Sequence, residues 1–350
     1  MIGDRLRARV GRLVRRRWPA ALATEVMFRF GKRRVAARLR EFRSLPRALH
    51  IEGTNVCNAH CVFCAYDRMQ RPKAVMSMED FRRVVDEYIA MGGAHLSLTP
   101  IVGDPFVDPH LFARLEHLAQ RQTMRGFYFF TNAILMTPAA SRRLLPYGDR
   151  LAVCVSLGGF DAATYERTMG VDRFDTVWEN LRAFLDLRGP AGGGPRLEIH
   201  LRCPPESHRG PRWTELQEWE ASRLVVVARI ESYDSWAGQI AATELHAAGL
   251  RARPMPHKRG ACELLYMKPV VLADGEVNAC ACRDVEAELR VGNLHRQSLQ
   301  QVWNGAAVEE LIARHERGDY PEICRRCTYY VSVYNRLESR IYKPSLNWKD

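Results

Sequence analysis

Cys57, Cys61 and Cys64 stand at the spacing C-x-x-x-C-x-x-C within one short loop. Three thiolates this close in sequence can hold three corners of a cubane iron-sulfur cluster and leave the fourth iron without a protein ligand. An open iron can bind a substrate or cofactor through oxygen and nitrogen atoms, which a fully ligated electron-transfer cluster cannot do. Zinc takes four ligands, usually from pairs spaced C-x-x-C, so the triplet suits it poorly. Farther along, Cys262, Cys280, Cys324 and Cys327 are spaced C-x(17)-C-x(43)-C-x-x-C, enough donors for a further cluster or for a structural zinc knuckle. Ten cysteines grouped in this way fit metal clusters better than a secreted disulfide framework, so a reducing cytoplasm is the expected compartment.

Strands alternating with helices are expected to carry the first loop. Apolar runs predict strands at 48–54, 95–100, 126–131, 151–157, 197–203 and 224–231. Helical periodicity lies between them, in a helix starting near Ser77 and in the stretches 109–121, 138–146, 174–188 and 213–222. This order implies an α/β fold with a parallel sheet and right-handed crossovers, a partial (β/α)6 TIM-like barrel, whose reactive residues sit at the C-terminal ends of the strands. Pro190 to Pro195 reads as a surface linker, since a phosphate cradle would need a following helix start and a lysine.

At Cys57, Cys61 and Cys64, with Phe63 just before the third cysteine, the sequence resembles the radical S-adenosylmethionine (SAM) superfamily. The resemblance implies a SAM-binding 4Fe-4S cluster, SAM itself and a 5'-deoxyadenosyl radical that abstracts a hydrogen atom from the substrate. Gly103 and Asp104, before Pro105, resemble the motif that meets the SAM amino group, with Val102 and Asp104 in place of the usual Gly and Glu. Thr131 and Asn132, after the third strand, and Ser156, after the fourth, resemble further SAM-contacting positions. The C-terminal third resembles SPASM and twitch extensions, which implies one auxiliary 4Fe-4S cluster on Cys262, Cys280, Cys324 and Cys327. The expected domains are a basic helical segment 1–46, the barrel 47–240 and a small twitch/SPASM-like domain 241–350. An external electron donor such as flavodoxin or ferredoxin is also implied.

The net charge of +12 is concentrated at the N-terminus, where residues 1–43 hold fourteen Arg and Lys against Asp4, Glu25 and Glu41. The rest of the chain is close to neutral, and nucleic acid is not an expected partner. Apolar positions recur every three to four residues in this segment, predicting one or two amphipathic helices broken near Pro19. Two roles fit: a helical cap packed on the barrel with a solvated basic face, or adhesion at the periphery of an anionic membrane or to an acidic partner. No apolar run reaches the length of a membrane span.

The cluster motifs alone leave the reaction open among oxidation, epimerisation and peptide modification. A small hydroxylated metabolite, a sugar or aminocyclitol, is the expected substrate, with a peptide-modifying maturase and a non-enzymatic zinc-stabilised binding protein as alternatives. Cys203, closing the fifth strand, and Cys282, beside the auxiliary ligands, are the candidate hydrogen donors, and Cys154 is the remaining cysteine. A base near a carbinol oxygen is sought among His200, Arg202, Glu231 and Asp234. Residues 232–238 resemble segments that line the substrate side in related enzymes, or else pack Trp236 into the core.

Overall fold

The computed structural model describes residues 20–342 apart from 100, 190–192 and 282, so Cys282 and the basic run at 15–18 lie outside the described residues. The chain enters through two helices, α1 (Ala20–Phe30) and α2 (Lys32–Ser44). Val35, Leu39 and Phe42 recur at helical spacing and bury one face of α2. These helices form a cap, but most of its named partners come from the C-terminal third rather than from the barrel helices. Trp303 Nε1 donates to the Phe42 carbonyl at 3.1 Å, Arg43 reaches Glu309 at 2.6 Å, and the Phe28 ring meets Tyr334 edge-on at 5.0 Å.

Six parallel strands follow: β1 (Leu49–Ile51), β2 (His95–Ser97), β3 (Gly126–Thr131), β4 (Leu151–Leu157), β5 (Arg196–Leu201) and β6 (Val226–Arg229). Neighbours in sequence pair in register, for example Thr131 with Val155 and Ser156 with His200. Between them run α3 (Met78–Ala90), α4 (Leu111–Ala119), α5 (Pro138–Leu144), α6 (Ala162–Met169), α7 (Phe174–Arg188) and α8 (Pro211–Ala221). Helix α3 begins as its sequence dictates, with the Ser77 hydroxyl accepting from Asp80 N at 3.0 Å. Helix α6 has no counterpart among the expected elements. Asp161 caps it through Thr164 N at 2.8 Å, and Gly170 closes it in the left-handed conformation.

Successive strand residues face opposite sides. Phe127, Phe129, Val153, Val155, Leu197 and Ile199 are fully buried in the main core cluster, which also holds Phe81, Val177 and Leu181 from the helices. Each such buried side chain contributes ~1.5–3 kcal/mol. The alternate residues His50, Tyr128, Phe130, Ser156 and His200 line an interior cavity.

The barrel does not close. Its sheet runs β6-β5-β4-β3-β2-β1-β7-β8-β9, so β1 is followed by strands from the C-terminal third and not by β6. Those strands are β7 (Val270–Val271), β8 (Glu276–Asn278) and β9 (Arg290–Asn293), preceded by the short helices α9 (Ala242–Ala247) and α10 (Leu264–Met267). The Asp274-Gly275 turn, a dipeptide that favours tight hairpins, joins β7 to β8, with Gly275 at φ 80°. The hairpin is sewn onto β1 in parallel, His50 beside Val270 and Ile51 beside Val271. Two helices follow, α11 (Leu299–Trp303) and α12 (Ala306–Arg317), separated because Asn304 and Gly305, both weak helix formers, end one and start the next. A last helix, α13 (Glu322–Arg326), leads into Cys327.

Candidate active site

Three neighbours hold the loop after β1 in place. His60 N and Val62 N donate to the carbonyls of Met169 and Thr168, both at 3.0 Å, at the end of α6. Gly170 is packed so closely there that a Cβ would run into the His60 carbonyl. From the other side, Asp104 N donates to the Val56 carbonyl at 2.9 Å, and Gly103, at φ 124°, brings its backbone to within contact of Thr54 and Asn55. Trp236 Nε1 donates to the Phe63 carbonyl at 2.7 Å, and the Tyr233 ring lies 5.5 Å from Phe63. Trp236 therefore both packs in the core and braces the loop.

Cys57, Cys61 and Cys64 converge at one end of a cavity of about 460 Å³. Burial raises all three thiols, Cys57 to about 12 and Cys64 to about 11, and Cys61 is raised further by its two companions. Three buried thiols that resist ionising together become favourable ligands once a cationic cluster core neutralises them.

Phe63, Gly103, Asp104, Thr131, Asn132 and Ser156 line the same cavity. Asp104 is buried, which raises its carboxyl, and both its oxygens are engaged. One accepts from Phe106 N at 3.0 Å; the other accepts from Asn132 N at 2.7 Å and Thr131 Oγ1 at 2.9 Å. Its shorter reach thus ties the two turns to each other. Asn132 Nδ2 continues the link to Asn58 Oδ1 at 2.7 Å, on the cysteine loop.

Of the residues considered as bases, His200, Arg202 and Asp234 face the cavity, while Glu231 is exposed and absent from its lining. His200 Nε2 lies 3.3 Å from Glu198 Oε2, and Glu198 also receives Arg196 and stands 3.8 Å from Cys154 Sγ. Cys203 is buried in the apolar core cluster, not in the cavity wall. His50, Tyr128, Arg253, Lys268, Arg283, Tyr329 and Arg340 also line the cavity, and sequence reasoning did not single them out. They come from separated segments, and no motif joins them.

In the second set, burial raises Cys262 to about 12 and raises Cys324 and Cys327 as well. The thiols of Cys262 and Cys327 add to the shift at Cys324, so these three are neighbours. Cys280 follows β8, where its carbonyl accepts from Asn278 Nδ2 at 3.0 Å. Among the described residues the trio of His, Cys, Asp or Glu donor atoms lying within 4.8 Å of one another is Cys154, Glu198 and His200. Neither cysteine set is gathered that tightly.

Residues 51–193 match the family model of the radical SAM superfamily, and residues 262–328 match that of the SPASM iron-sulfur cluster-binding domain. The chain carries a radical SAM domain. A SPASM domain follows it toward the C-terminal end, and the two imply SAM and 4Fe-4S clusters as cofactors. A GTP 3',8-cyclase of Pasteurella multocida is 26% identical over 140 residues, 39% of this chain and 40% of that protein, so the match spans less than half of either. Among solved structures, BtrN in complex with AdoMet and 2-DOIA superposes with a TM-score of 0.50 at 14% identity, covering 81% of this chain and 93% of that one. Streptococcus suis SuiB bound to precursor peptide SuiA gives 0.56 at 16% identity, covering 79% and 69%. At these identities the structures establish the shared fold.

Proposed function

We propose that this radical SAM enzyme removes a hydrogen atom from a small hydroxylated metabolite, a sugar or aminocyclitol, and oxidises the carbinol, with epimerisation as the variant outcome. The observation that carries the reading is the placement of His200, backed by Glu198, in the same cavity wall as the three loop cysteines. Cys57, Cys61 and Cys64 would hold the SAM-binding cluster, and Cys262, Cys280, Cys324 and Cys327 the auxiliary one. When bound, these groups supply a carbon-centred radical that takes the hydrogen atom and an acceptor for the one electron that oxidation leaves over. His200 takes the hydroxyl proton, and the Glu198 carboxylate orients its ring and stabilises the imidazolium. Thr131, Asn132 and Ser156 orient the cofactor beside Phe63. A flavodoxin or ferredoxin would deliver the first electron.

The test uses anaerobically reconstituted protein. About eight irons per chain and 5'-deoxyadenosine formed from SAM with dithionite support the reading, and conversion of a sugar or aminocyclitol to a ketone completes it. Cleavage of SAM without any carbinol product across such a panel counts against the substrate class. A second reading, rearrangement of a nucleoside triphosphate, is favoured by the similarity to a GTP 3',8-cyclase; consumption of GTP in the same assay would select it. A peptide-modifying role rests on shared fold alone.

The cap supports peripheral membrane contact as a further part of the proposal. Helix α1 docks through Phe28, Glu25 and the buried Thr24, yet presents Leu22, Val26 and Phe30 outward at 46%, 39% and 84% exposure. Arg29, Arg33 and Arg34 are exposed nearby. An apolar stripe beside cations fits an anionic bilayer surface. Among the described residues no helix is long and apolar enough to cross a membrane. Sedimentation with phosphatidylserine vesicles, lost in Leu22→Ser with Phe30→Ser, is expected; equal sedimentation of the variant would remove this part.

A further inference from the structure

Positive side chains dominate the wall of the cavity that faces the SPASM domain. Arg202, Arg253, Lys268, Arg283 and Arg340 line the cavity, against the carboxylates of Asp104 and Asp234. Asp104 is consumed by its own hydrogen bonds beside the cysteine loop. Asp234 holds Arg283 at 2.6 Å, and Arg340 is held from behind by the buried Glu263 at 2.6 Å. Arg202 and Arg253 enter no ion pair with a described carboxylate, and Arg202 Nε is buried with no hydrogen-bond partner.

Three of the cations converge on one ring. The guanidinium carbons of Arg253, Arg283 and Arg340 lie 5.3, 4.4 and 5.9 Å from the centre of the Tyr329 ring. They arrive from three separate segments, the stretch after α9, the stretch after β8 and the turn at 340–342, so their meeting is a product of tertiary structure. Lys268 and Arg340 also bear on His50, whose burial keeps its imidazole neutral, so the ring adds a polar contact without further charge.

We propose that Arg253, Arg283 and Arg340 around Tyr329, with Lys268 from the same cavity lining, form an anion subsite that binds a phosphoryl group of the substrate, so that the metabolite oxidised is a phosphate ester. This rests on the small-metabolite reading above. Guanidinium forks match the oxygens of a phosphate, and the five lining cations outnumber the carboxylates of Asp104, Asp234 and the Glu263 behind Arg340 by two, the charge of a phosphate dianion. The subsite holds the anion at the SPASM side and leaves the carbinol end of the substrate toward His200 and the cysteine loop. Specificity then comes from the charged end, and chemistry from the other.

The experiment is anaerobic titration calorimetry of the cluster-loaded protein saturated with SAM, using inorganic phosphate, glucose 6-phosphate, glucuronate and glucose as probes. Phosphate and glucose 6-phosphate are expected to bind, glucuronate about tenfold more weakly and glucose not at all, with affinity falling as salt rises. Arg253→Gln and, independently, Lys268→Gln should weaken glucose 6-phosphate about tenfold, whereas Arg229→Gln, on the outer surface, should not. Iron content of each variant reports its folding. Equal binding of glucuronate and glucose 6-phosphate would overturn the phosphoryl assignment. Loss of phosphate binding on saturation with SAM, or binding indifferent to both variants, would overturn the subsite. Formation of 5'-deoxyadenosine, measured separately, reports whether the underlying radical reading stands.

Discussion

The cluster loop takes its cysteines from eight consecutive residues, 57–64, whereas the second set gathers Cys262, Cys280, Cys324 and Cys327 from stretches far apart in the chain. The loop is shaped from outside, by backbone hydrogen bonds to the end of α6 and to the turn at Gly103 and by the Trp236 indole. The second set joins the segment before α10, the hairpin strand β8 and the end of α13, so filling it would staple three segments together. A loop held by its surroundings can devote its metal to chemistry. A set drawn from scattered segments places its metal in the folding free energy as well.

The largest expected effects separate the two directly. Cys57→Ala should abolish 5'-deoxyadenosine formation while leaving the melting temperature close to that of the parent. Cys324→Ala should lose about half the iron, melt lower, and still cleave SAM. Cleavage lost equally in both variants would break the contrast, because the second set would then serve the first reaction step. Arg114 probes the frame of the first site. It is fully buried, pairs with Asp108 at 2.7 Å and donates to the carbonyls of Met76 and Gly53 beneath β1. Arg114→Met should cost about 3–5 kcal/mol in denaturant unfolding, since it leaves the Asp108 charge buried and unpaired.

Acid tests the second region. Burial lowers His315, packed between Tyr320 and Tyr330, to about 4 from its ordinary 6.5. The unfolded chain takes up this proton as pH falls through the ordinary value, while the folded protein stays neutral until much lower. Stability present above that value is therefore lost on acidification, by about 2 kcal/mol between pH 7 and 5. His315→Phe should flatten that part of the profile. The smallest effect is at Asn132, which links two cofactor-side loops. Asn132→Ala removes the hydrogen bond to Asn58 and the one its Oδ1 accepts from Ile134 N, and should raise KM for SAM about fivefold, a loss near 1 kcal/mol, with kcat little changed.

What could be foreseen followed the range of the interaction. The limits of β3 and β4 were legible because each is a continuous apolar run flanked by turn residues, and the cap of α3 because Ser77 and Asp80 lie one turn apart. Helix α6 was missed although Asp161, Thr164 and Gly170 mark its two ends; its eight residues were too few to show a period. The hairpin at Asp274-Gly275 could be read locally, but its pairing with β1 could not, since nothing in either short strand names its partner. The site divided in the same way. The residues matching successive motifs all reached the cavity wall. Arg253, Lys268, Arg283 and Arg340 share no spacing, and only the fold brings them together.

The pairing of β7 with β1 also bears on any attempt to shorten the protein. Strand β1 carries the cluster loop, and one of its two flanks is covered only by a strand that the ribosome delivers much later. Trimmed back to its first six strands, the chain would present β1 as a bare hydrophobic edge, with open amide and carbonyl groups ready to accept a strand from another molecule. The SPASM segment thus also acts as a guard against self-association, and a fragment lacking it should be recovered as aggregate.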